Sequence, residues 1–156
     1  SRTGTEIKLD SGAVLRIIAP VHSDYSSLNN YSIACRLVHG NRSFLFTGDI
    51  ERAAENDIVN SAEYLKSDVL KVAHHGSTSS STPAFLEAVM PEYAVIEVGE
   101  GNSYGHPKPE VVKRLNSLGA QILTTMECGN IVFVSDGEQL TIHTDNGITD
   151  RTEEAA

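Results

Sequence analysis

Three short polar segments contain the side chains of this sequence that are best suited to chemistry. Residues 47–51 read Thr-Gly-Asp-Ile-Glu, residues 74–77 read His-His-Gly-Ser, and residues 102–107 read Asn-Ser-Tyr-Gly-His-Pro. A carboxylate oxygen and neutral imidazole nitrogens suit zinc or manganese, and the lack of thiols in these segments disfavours a structural zinc site. The segments therefore predict a divalent metal site in which Asp49 and a histidine are ligands.

Each segment also has a simpler interpretation when it is taken alone. Asp49 could cap a helix that begins near Glu51. The adjacent His74 and His75 could lie in a solvated loop, and in an extended backbone their rings would point in opposite directions. His106 could be a structural residue at the start of a helix. The remaining histidines are interpreted as ordinary loop, turn or strand-end residues: His22, His39 and His143.

The elements that would position these segments follow from apolar patterning. Each polar segment comes after a short apolar run, at residues 44–46, 68–73 and 93–98, and such runs are typical of buried strands. Ligands of open α/β sheets bind at the carboxyl ends of the strands. The three polar segments are therefore expected to meet at one edge of a sheet.

The rest of the chain predicts an α/β fold with a mixed sheet and covering helices. Helices are predicted at 51–62, at 82–90 with Thr82 as N-cap, and from Pro109 to a left-handed Gly119. Further strands are predicted at 7–9, 14–19, 32–38, 43–47, 122–125, 130–135 and 139–143. Residues 1–145 are expected to form one domain, and the polar, acidic residues 146–156 a disordered tail.

Charge and composition narrow the function classes. Lys and Arg number 12 against 21 Asp and Glu, which gives a net charge of −9. This balance argues against a surface that binds nucleic acid by neutralising phosphates, although a bound metal pair would invert the local field. No apolar stretch reaches the roughly 18–20 residues that span a bilayer, so a soluble chain is expected. Cys35 and Cys128 are interpreted as reduced thiols, with a disulfide as the alternative.

The motifs also resemble a known family. Thr-Gly-Asp-Ile-Glu at 47–51 with Asp-Val-Leu-Lys-Val-Ala-His-His-Gly-Ser at 68–77 resembles the metallo-β-lactamase superfamily. More specifically, these segments resemble the C-terminal hydrolase domain of ComEC-type DNA-uptake competence proteins. Ser-Tyr-Gly-His-Pro at 103–107, the helix start that follows it, and Asn-Asn-Tyr-Ser at 29–32 extend this likeness, which runs from about residue 5 to 144.

The resemblance implies a role for each residue of the site. Asp49 matches the aspartate that bridges two metals, and His75, with His74 as the alternative, matches a ligand of the second metal. Asn30 falls where many relatives have a metal-binding histidine. The remaining roles are expected as follows: His106, His74 and Glu51 in catalysis, and Asn30, Ser77 and Tyr104 in substrate binding.

One departure from the family is an absence. The motif His-x-His-x-Asp-His does not occur in these 156 residues. We therefore expect the chain to be the second half of an αββα sandwich that begins after this motif. With two protein ligands where catalytic zinc sites use three and a water, it should hold no metal tightly and be inactive alone. Its uncovered sheet face should favour self-association.

The resemblance also implies partners. DNA would be the substrate of the parent protein, which would lie in the bacterial cell membrane, with the rest of the domain and a membrane channel in the same chain. Two alternatives stay open. One is a related metallo-esterase or small-molecule phosphodiesterase, and the other is a non-catalytic metallo-β-lactamase-like binding module.

Overall fold

A seven-stranded mixed sheet forms the centre of the protein. The computed structural model describes residues 3–61 and 63–147. The strands lie side by side in chain order, so that β1 to β4 are antiparallel and β4 to β7 are parallel. Their bounds are β1 Glu6–Lys8, β2 Val14–Ala19, β3 Ala34–His39, β4 Arg42–Phe46, β5 Val69–Lys71, β6 Tyr93–Ile96 and β7 Gln121–Thr124.

Three helices cover one face of this sheet. They are α1 Arg52–Asn60, α2 Pro83–Val89 and α3 Pro109–Ser117, and each connects two consecutive parallel strands. Parallel neighbours need such a crossover, because a tight turn cannot bring the chain back to the same edge. The core between the helices and the sheet is aliphatic with one phenylalanine, and its fully buried members include Leu45, Ile58, Leu70, Phe85, Ile96 and Leu115.

A β-hairpin packs on the opposite face. Its strands, β8 Ile131–Ser135 and β9 Leu140–Thr144, pair antiparallel, and its apolar side contacts Phe44, Tyr93 and Leu123. Helices, the large sheet and this hairpin give three successive layers, which confirms the predicted α/β fold with a mixed sheet and covering helices. Within residues 3–61 and 63–147, no helix is long and apolar enough to cross a membrane.

The sequence prediction differs from the structure mainly at segment ends. The strand predicted at 68–73 ends at Lys71 and is followed by a 3₁₀ turn at Ala73–Gly76. The short helix α4, Thr125–Cys128, was not predicted. Gly119 has φ +77°, as expected for a residue that ends α3.

Some predictions concern thiols and residues near the described limits. Cys35 and Cys128 are free thiols, in agreement with their interpretation as reduced cysteines. Ala62, the predicted end of the first helix, lies outside the described residues. The same holds for the predicted tail except for its first two residues, of which Asn146 donates a hydrogen bond to the Glu127 carbonyl oxygen.

Candidate active site

Asp49 lies in a tight turn at the carboxyl end of β4. Gly48 has φ +56°, and a Cβ built there would lie 2.9 Å from the Ser32 Cβ, so only glycine lets the turn approach the segment before β3 this closely. The Asp49 amide donates to the Ser32 hydroxyl oxygen at 3.2 Å. The Asp49 carboxylate is 40% exposed, and its Oδ1 lies 3.6 Å from His75 Nε2. The turn thus presents the carboxylate to the neighbouring loop.

Helix α1 is capped by Asn30. The Asn30 side-chain oxygen accepts hydrogen bonds from the amides of Glu51, at 2.9 Å, and Ala54, at 3.3 Å. Glu51 is the N-cap residue of α1 and Ala54 lies in its first turn, where the amides have no partner within the helix. The alternative interpretation, in which Asp49 caps this helix, is therefore wrong.

The same contacts correct the predicted role of Asn30. Its side chain is only 3% exposed, and its oxygen is occupied by the two amides. We predicted substrate binding by Asn30, but in this structure it holds the Asp49–Glu51 loop in place instead. The neighbouring Asn29 contributes to the same task, since its amide donates to the Glu51 carboxylate at 3.1 Å.

His74 and His75 occupy an unusual backbone conformation. Both have positive φ, 49° and 54° respectively, which non-glycine residues rarely adopt and which concentrates at functional sites. The assumption of an extended backbone at this pair was therefore wrong. The rings nevertheless have separate surroundings: His74 Nδ1 lies 3.2 Å from the Ser79 hydroxyl and 3.6 Å from a Glu51 carboxylate oxygen.

The His75 ring is held in one tautomer by the strand beside it. His75 Nδ1 lies 2.7 Å from the Glu97 carbonyl oxygen, which can only accept a hydrogen bond, so Nδ1 carries the proton. The lone pair is then on Nε2, the atom that faces Asp49. Metal-ligating histidines almost always donate their other ring N–H in this way. This geometry favours His75 over His74 as a metal ligand.

A close backbone contact brings the third loop to the site. Gly76 has φ +79°, a Cβ built there would lie 2.7 Å from the Pro107 Cβ, and the Gly76 carbonyl accepts from the Lys108 amide at 2.9 Å. As a result, the His106 ring stacks near His74, with centroids 6.1 Å apart. Burial, and then the nearby Lys108, lowers the pKa of the His106 imidazole, which is therefore neutral near pH 7.

A cavity of about 820 Å³ opens where the loops meet. Five of the eight residues predicted for the site line it: Asp49, His74, His75, Tyr104 and His106. Glu51 and Ser77 are not on its wall, but both contact His74: Glu51 through its carboxylate and Ser77 through its amide, which donates to the His74 carbonyl. Burial opposes a low pKa at Glu51, but hydrogen bonds from Ser27 and Asn29 and the nearby His74 hold the pKa of its carboxyl below the usual value.

Sequence reasoning missed two charged residues of this site. The Lys71 ammonium donates to the Gly48 carbonyl at 3.2 Å and lies 3.9 Å from Asp49 Oδ1 and 3.7 Å from Glu97 Oε2. It therefore links the ends of β4, β5 and β6. A lysine at the end of an otherwise apolar strand is a signal that could have identified it, whereas Glu97 is exposed and carries no such signal.

The donor set fits part of a metal site. Asp49 supplies a carboxylate and His75 a free ring nitrogen, which is the chemistry that zinc and manganese bind. Within the part of the chain that the structure describes, no three His, Cys, Asp or Glu side chains are grouped closely enough to hold an ion. Asp49 and His75 could therefore be two ligands of a larger metal site.

The mixed sheet with its loop cavity, and the carboxylate and imidazole in that cavity, are typical of a metallo-hydrolase fold. Comparison with known proteins gives the same class. The sequence profile of the Metallo-beta-lactamase superfamily matches residues 19–99, more than half of the chain, and the chain belongs to this superfamily. ComE operon protein 3 of Bacillus subtilis is 34% identical over 117 residues, which are 75% of this chain and 15% of that protein. Competence protein ComA of Neisseria gonorrhoeae is 40% identical over 106 residues, 67% of this chain and 15% of that one.

A third relative and a solved structure extend the comparison. Recombination protein 2 of Haemophilus influenzae is 31% identical over 120 residues, 77% of this chain and 15% of that protein. A Parabacteroides distasonis protein, described as a candidate metal-dependent hydrolase, superposes with a TM-score of 0.52 at 10% identity. The match covers 80% of this chain and 56% of that one, and it bears on the fold alone. The chain spans about 15% of the length of the curated relatives it matches.

Proposed function

We propose that this chain is one part of a metal-dependent hydrolase domain that cleaves phosphodiesters in DNA during its uptake by a bacterial cell. The observation that carries the proposal is the paired orientation of His75 and Asp49. The Nδ1 proton of His75 is used by the Glu97 carbonyl, and Nε2 faces the carboxylate at 3.6 Å. The superfamily and the names of the competence relatives support the same reading.

Four residues of the site have a chemical task in this proposal. Asp49 and His75 would hold a divalent ion, zinc or manganese, and the chemistry that it would supply is Lewis-acid polarisation. His106, neutral and beside His74, accepts or returns a proton in the cavity. Lys71 orients the carboxylates of Asp49 and Glu97 and offsets their mutual repulsion, since its ammonium lies within 4 Å of both.

Activity requires more ligands than the described residues bring together. A catalytic zinc site uses three protein ligands, and the described residues bring two together. We therefore place activity in the complete domain, meaning a protein in which these residues are joined to a His-x-His-x-Asp-His segment. In that setting the parent would be a membrane protein whose channel admits DNA.

A paired assay tests the proposal. The complete domain and the 156-residue chain are compared on linear DNA with Mn²⁺ or Zn²⁺, each with an Asp49→Ala variant. We expect cleavage by the complete domain, its loss in Asp49→Ala, and background rates for the chain alone. Turnover of a choline ester with no cleavage of DNA would support the esterase alternative. Metal binding without turnover of either substrate would support a non-catalytic module.

A further inference from the structure

A small polar hollow lies at the edge of the sheet that is remote from the candidate active site. It has a volume of about 270 Å³ and is bounded by β3, the start of β4 and the segment before β5, whereas the active-site loops follow the ends of β4 and β5. Among the described residues, the two cavities share no lining side chain. On the described wall, the basic side chains of Arg36, Arg42 and Lys66 face one carboxylate, that of Asp68. The hollow is therefore locally basic in a chain whose net charge is −9.

Arg36 of β3 is a half-buried charge without a carboxylate partner. Its Nε and Nη2 atoms donate to the Lys66 carbonyl oxygen, at 3.1 and 2.7 Å, and its central carbon lies over the Tyr64 ring, 5.2 Å from the centroid. Within the part of the chain that the structure describes, no Asp or Glu oxygen lies within 4 Å of this guanidinium. Burial lowers the pKa of Arg36, and the nearby Tyr64 and Asp68 only partly oppose this effect. Because a charge withdrawn from water is costly unless an opposite charge accompanies it, an anion would stabilise Arg36.

The neighbouring Arg16 of β2 differs from Arg36 in this respect. The two arginines stand directly opposite each other in the register of β2 and β3. Arg16 is paired with Glu6 at 2.8 Å and with Glu63 at 2.9 Å, whereas Arg36 has no such pair in the described ranges. Like charges directly opposite each other in a sheet are destabilising. An anion beside Arg36 would offset the repulsion that remains.

Two basic groups of the hollow are available to a ligand. The Nη1 atom of Arg36 and the exposed ammonium of Lys66 have no acceptor among the described residues. The charge of Arg42 is partly offset by Asp68 and Glu92, each of which has an oxygen 3.9 Å from its Nη1 atom. Arg36 and Lys66 therefore supply the positive charge of the hollow that no carboxylate offsets.

We propose that this hollow binds a phosphate group through the Nη1 atom of Arg36 and the ammonium of Lys66. Both groups donate charge-assisted hydrogen bonds to phosphate oxygens. The volume of about 270 Å³ is below the ~300–1,000 Å³ of sites for drug-sized ligands, so it suits a single phosphate group. Two sources supply this chemistry, soluble phosphate and the headgroup of an anionic phospholipid, and the test distinguishes them. The site is separate from the proposed hydrolase activity.

Titration with inorganic phosphate tests the site. The 156-residue chain, in phosphate-free buffer at constant ionic strength, is followed by ¹H–¹⁵N NMR. We expect saturable shifts at the amides of residues 42–43 and 66–68 and at the Arg36 Nε–H, with a dissociation constant of about 1 mM, as two charge-assisted hydrogen bonds would give. Lys66→Gln should weaken binding about tenfold, because one of these bonds is lost. Lys113→Gln, which removes an exposed charge from α3, is the matched control.

Three outcomes of this titration would overturn the proposal. The first is equal affinity of the wild type and Lys66→Gln. The second is a set of shifts that rise with phosphate concentration without saturation. The third is a set of shifts that are largest in the loops after β4 and β5, which would place the phosphate in the candidate active site instead.

Sedimentation with lipid vesicles identifies the source of the phosphate group. The chain is mixed with vesicles of phosphatidylglycerol or of phosphatidylcholine. Co-sedimentation with phosphatidylglycerol alone, abolished by Lys66→Gln and retained by Lys113→Gln, assigns a lipid headgroup. Saturable binding of inorganic phosphate without co-sedimentation assigns a soluble phosphate, and the absence of both refutes the site. Neither arm involves Asp49 or His75, so failure here leaves the proposed function standing.

Discussion

His75 Nδ1 and the Glu97 carbonyl oxygen are joined by a 2.7 Å hydrogen bond between two neighbouring strand ends. Because a carbonyl can only accept, the bond fixes the proton on Nδ1 and leaves Nε2 to face Asp49. By contrast, the Nδ1 atom of His74 lies close to the Ser79 hydroxyl and to the Glu51 carboxylate. The two adjacent histidines are therefore prepared for different tasks.

The first prediction separates these histidines by metal binding. In the complete domain, His75→Ala should lower the affinity for Zn²⁺ at least ~10-fold, since even a hydrogen-bond partner of a ligand typically contributes ~10–100-fold. His74→Ala should retain most of the affinity, and His143→Ala, in β9, serves as the control. Calorimetric titration measures all four proteins. A larger loss in His74→Ala than in His75→Ala would reverse the ligand assignment.

The second prediction concerns the buried Glu55 of α1. Its carboxylate accepts from the amides of Ser81 and Thr82, at 2.5 and 2.8 Å, and so holds the segment that precedes α2. Burial raises the pKa of this carboxyl above the ordinary glutamate value of 4.5, and the hydrogen bonds only partly oppose this effect. The folded chain therefore binds this proton more tightly than the unfolded chain does.

The sign of the pH effect follows from that difference. The stabilisation is fully present below pH 4.5 and is lost as the pH rises through the folded pKa of Glu55. Glu55→Gln should remove this dependence and cost about 1–3 kcal/mol near neutral pH, because its amide cannot accept both hydrogen bonds. Urea unfolding at several pH values checks it, with the exposed Glu87→Gln as control. A constant difference between wild type and Glu55→Gln above pH 4.5 would contradict the assignment.

The third prediction concerns self-association. Beside the β8–β9 hairpin, a second cavity of about 480 Å³ exposes apolar side chains in and next to the sheet, among them Phe46 of β4 and Leu9, which follows β1. Exposed apolar patches of this kind mark interaction surfaces. Phe46→Ser should therefore reduce self-association in sedimentation velocity, while Leu28→Ser, in the 3₁₀ turn Leu28–Tyr31, should not. A wild-type chain that stays monomeric at high concentration would refute this prediction.

The fourth prediction concerns His106. In the complete domain, His106→Ala should lower turnover by ~10²–10⁴-fold, as is typical for a positioned proton-transfer group, and leave the metal content unchanged. The Asn102 side chain bonds the backbone of His106 and not its ring, so the loop should survive the substitution. Metal analysis and melting temperature accompany the rate measurement. Loss of metal, or a lower melting temperature with normal turnover, would exclude a role of His106 toward the substrate.

Much of this architecture could be predicted because it depends on residue patterns that are local in the sequence. The buried parallel strands β4 to β6 are apolar runs, and the polar residues that follow them identify the sheet edge that carries Asp49, His75 and His106. Gly119 likewise signals the end of α3 through its own conformation. In each case the determining interaction lies within a few residues of the signal.

The rest depends on contacts between distant residues. The cap of α1 comes from Asn30, 21 residues before Glu51, and no local pattern distinguishes it from a cap by Asp49. The left-handed backbone of His74 and His75 belongs to a turn that Gly76 packs against Pro107, far along the chain. Lys71 becomes part of the site only because β4 and β6 flank β5.

The proposed metal site depends most on Asp49, because in the complete domain Asp49 would bind two ions whereas His75 would bind one. The most direct test compares Asp49→Ala and His75→Ala in the complete domain by metal analysis and thermal melts. We predict that Asp49→Ala loses most of both ions, and that His75→Ala retains part of the metal but loses most activity. If Asp49→Ala melts at a lower temperature yet retains both ions, Asp49 is a structural residue, and the assignment of this cavity as a hydrolase site is contradicted.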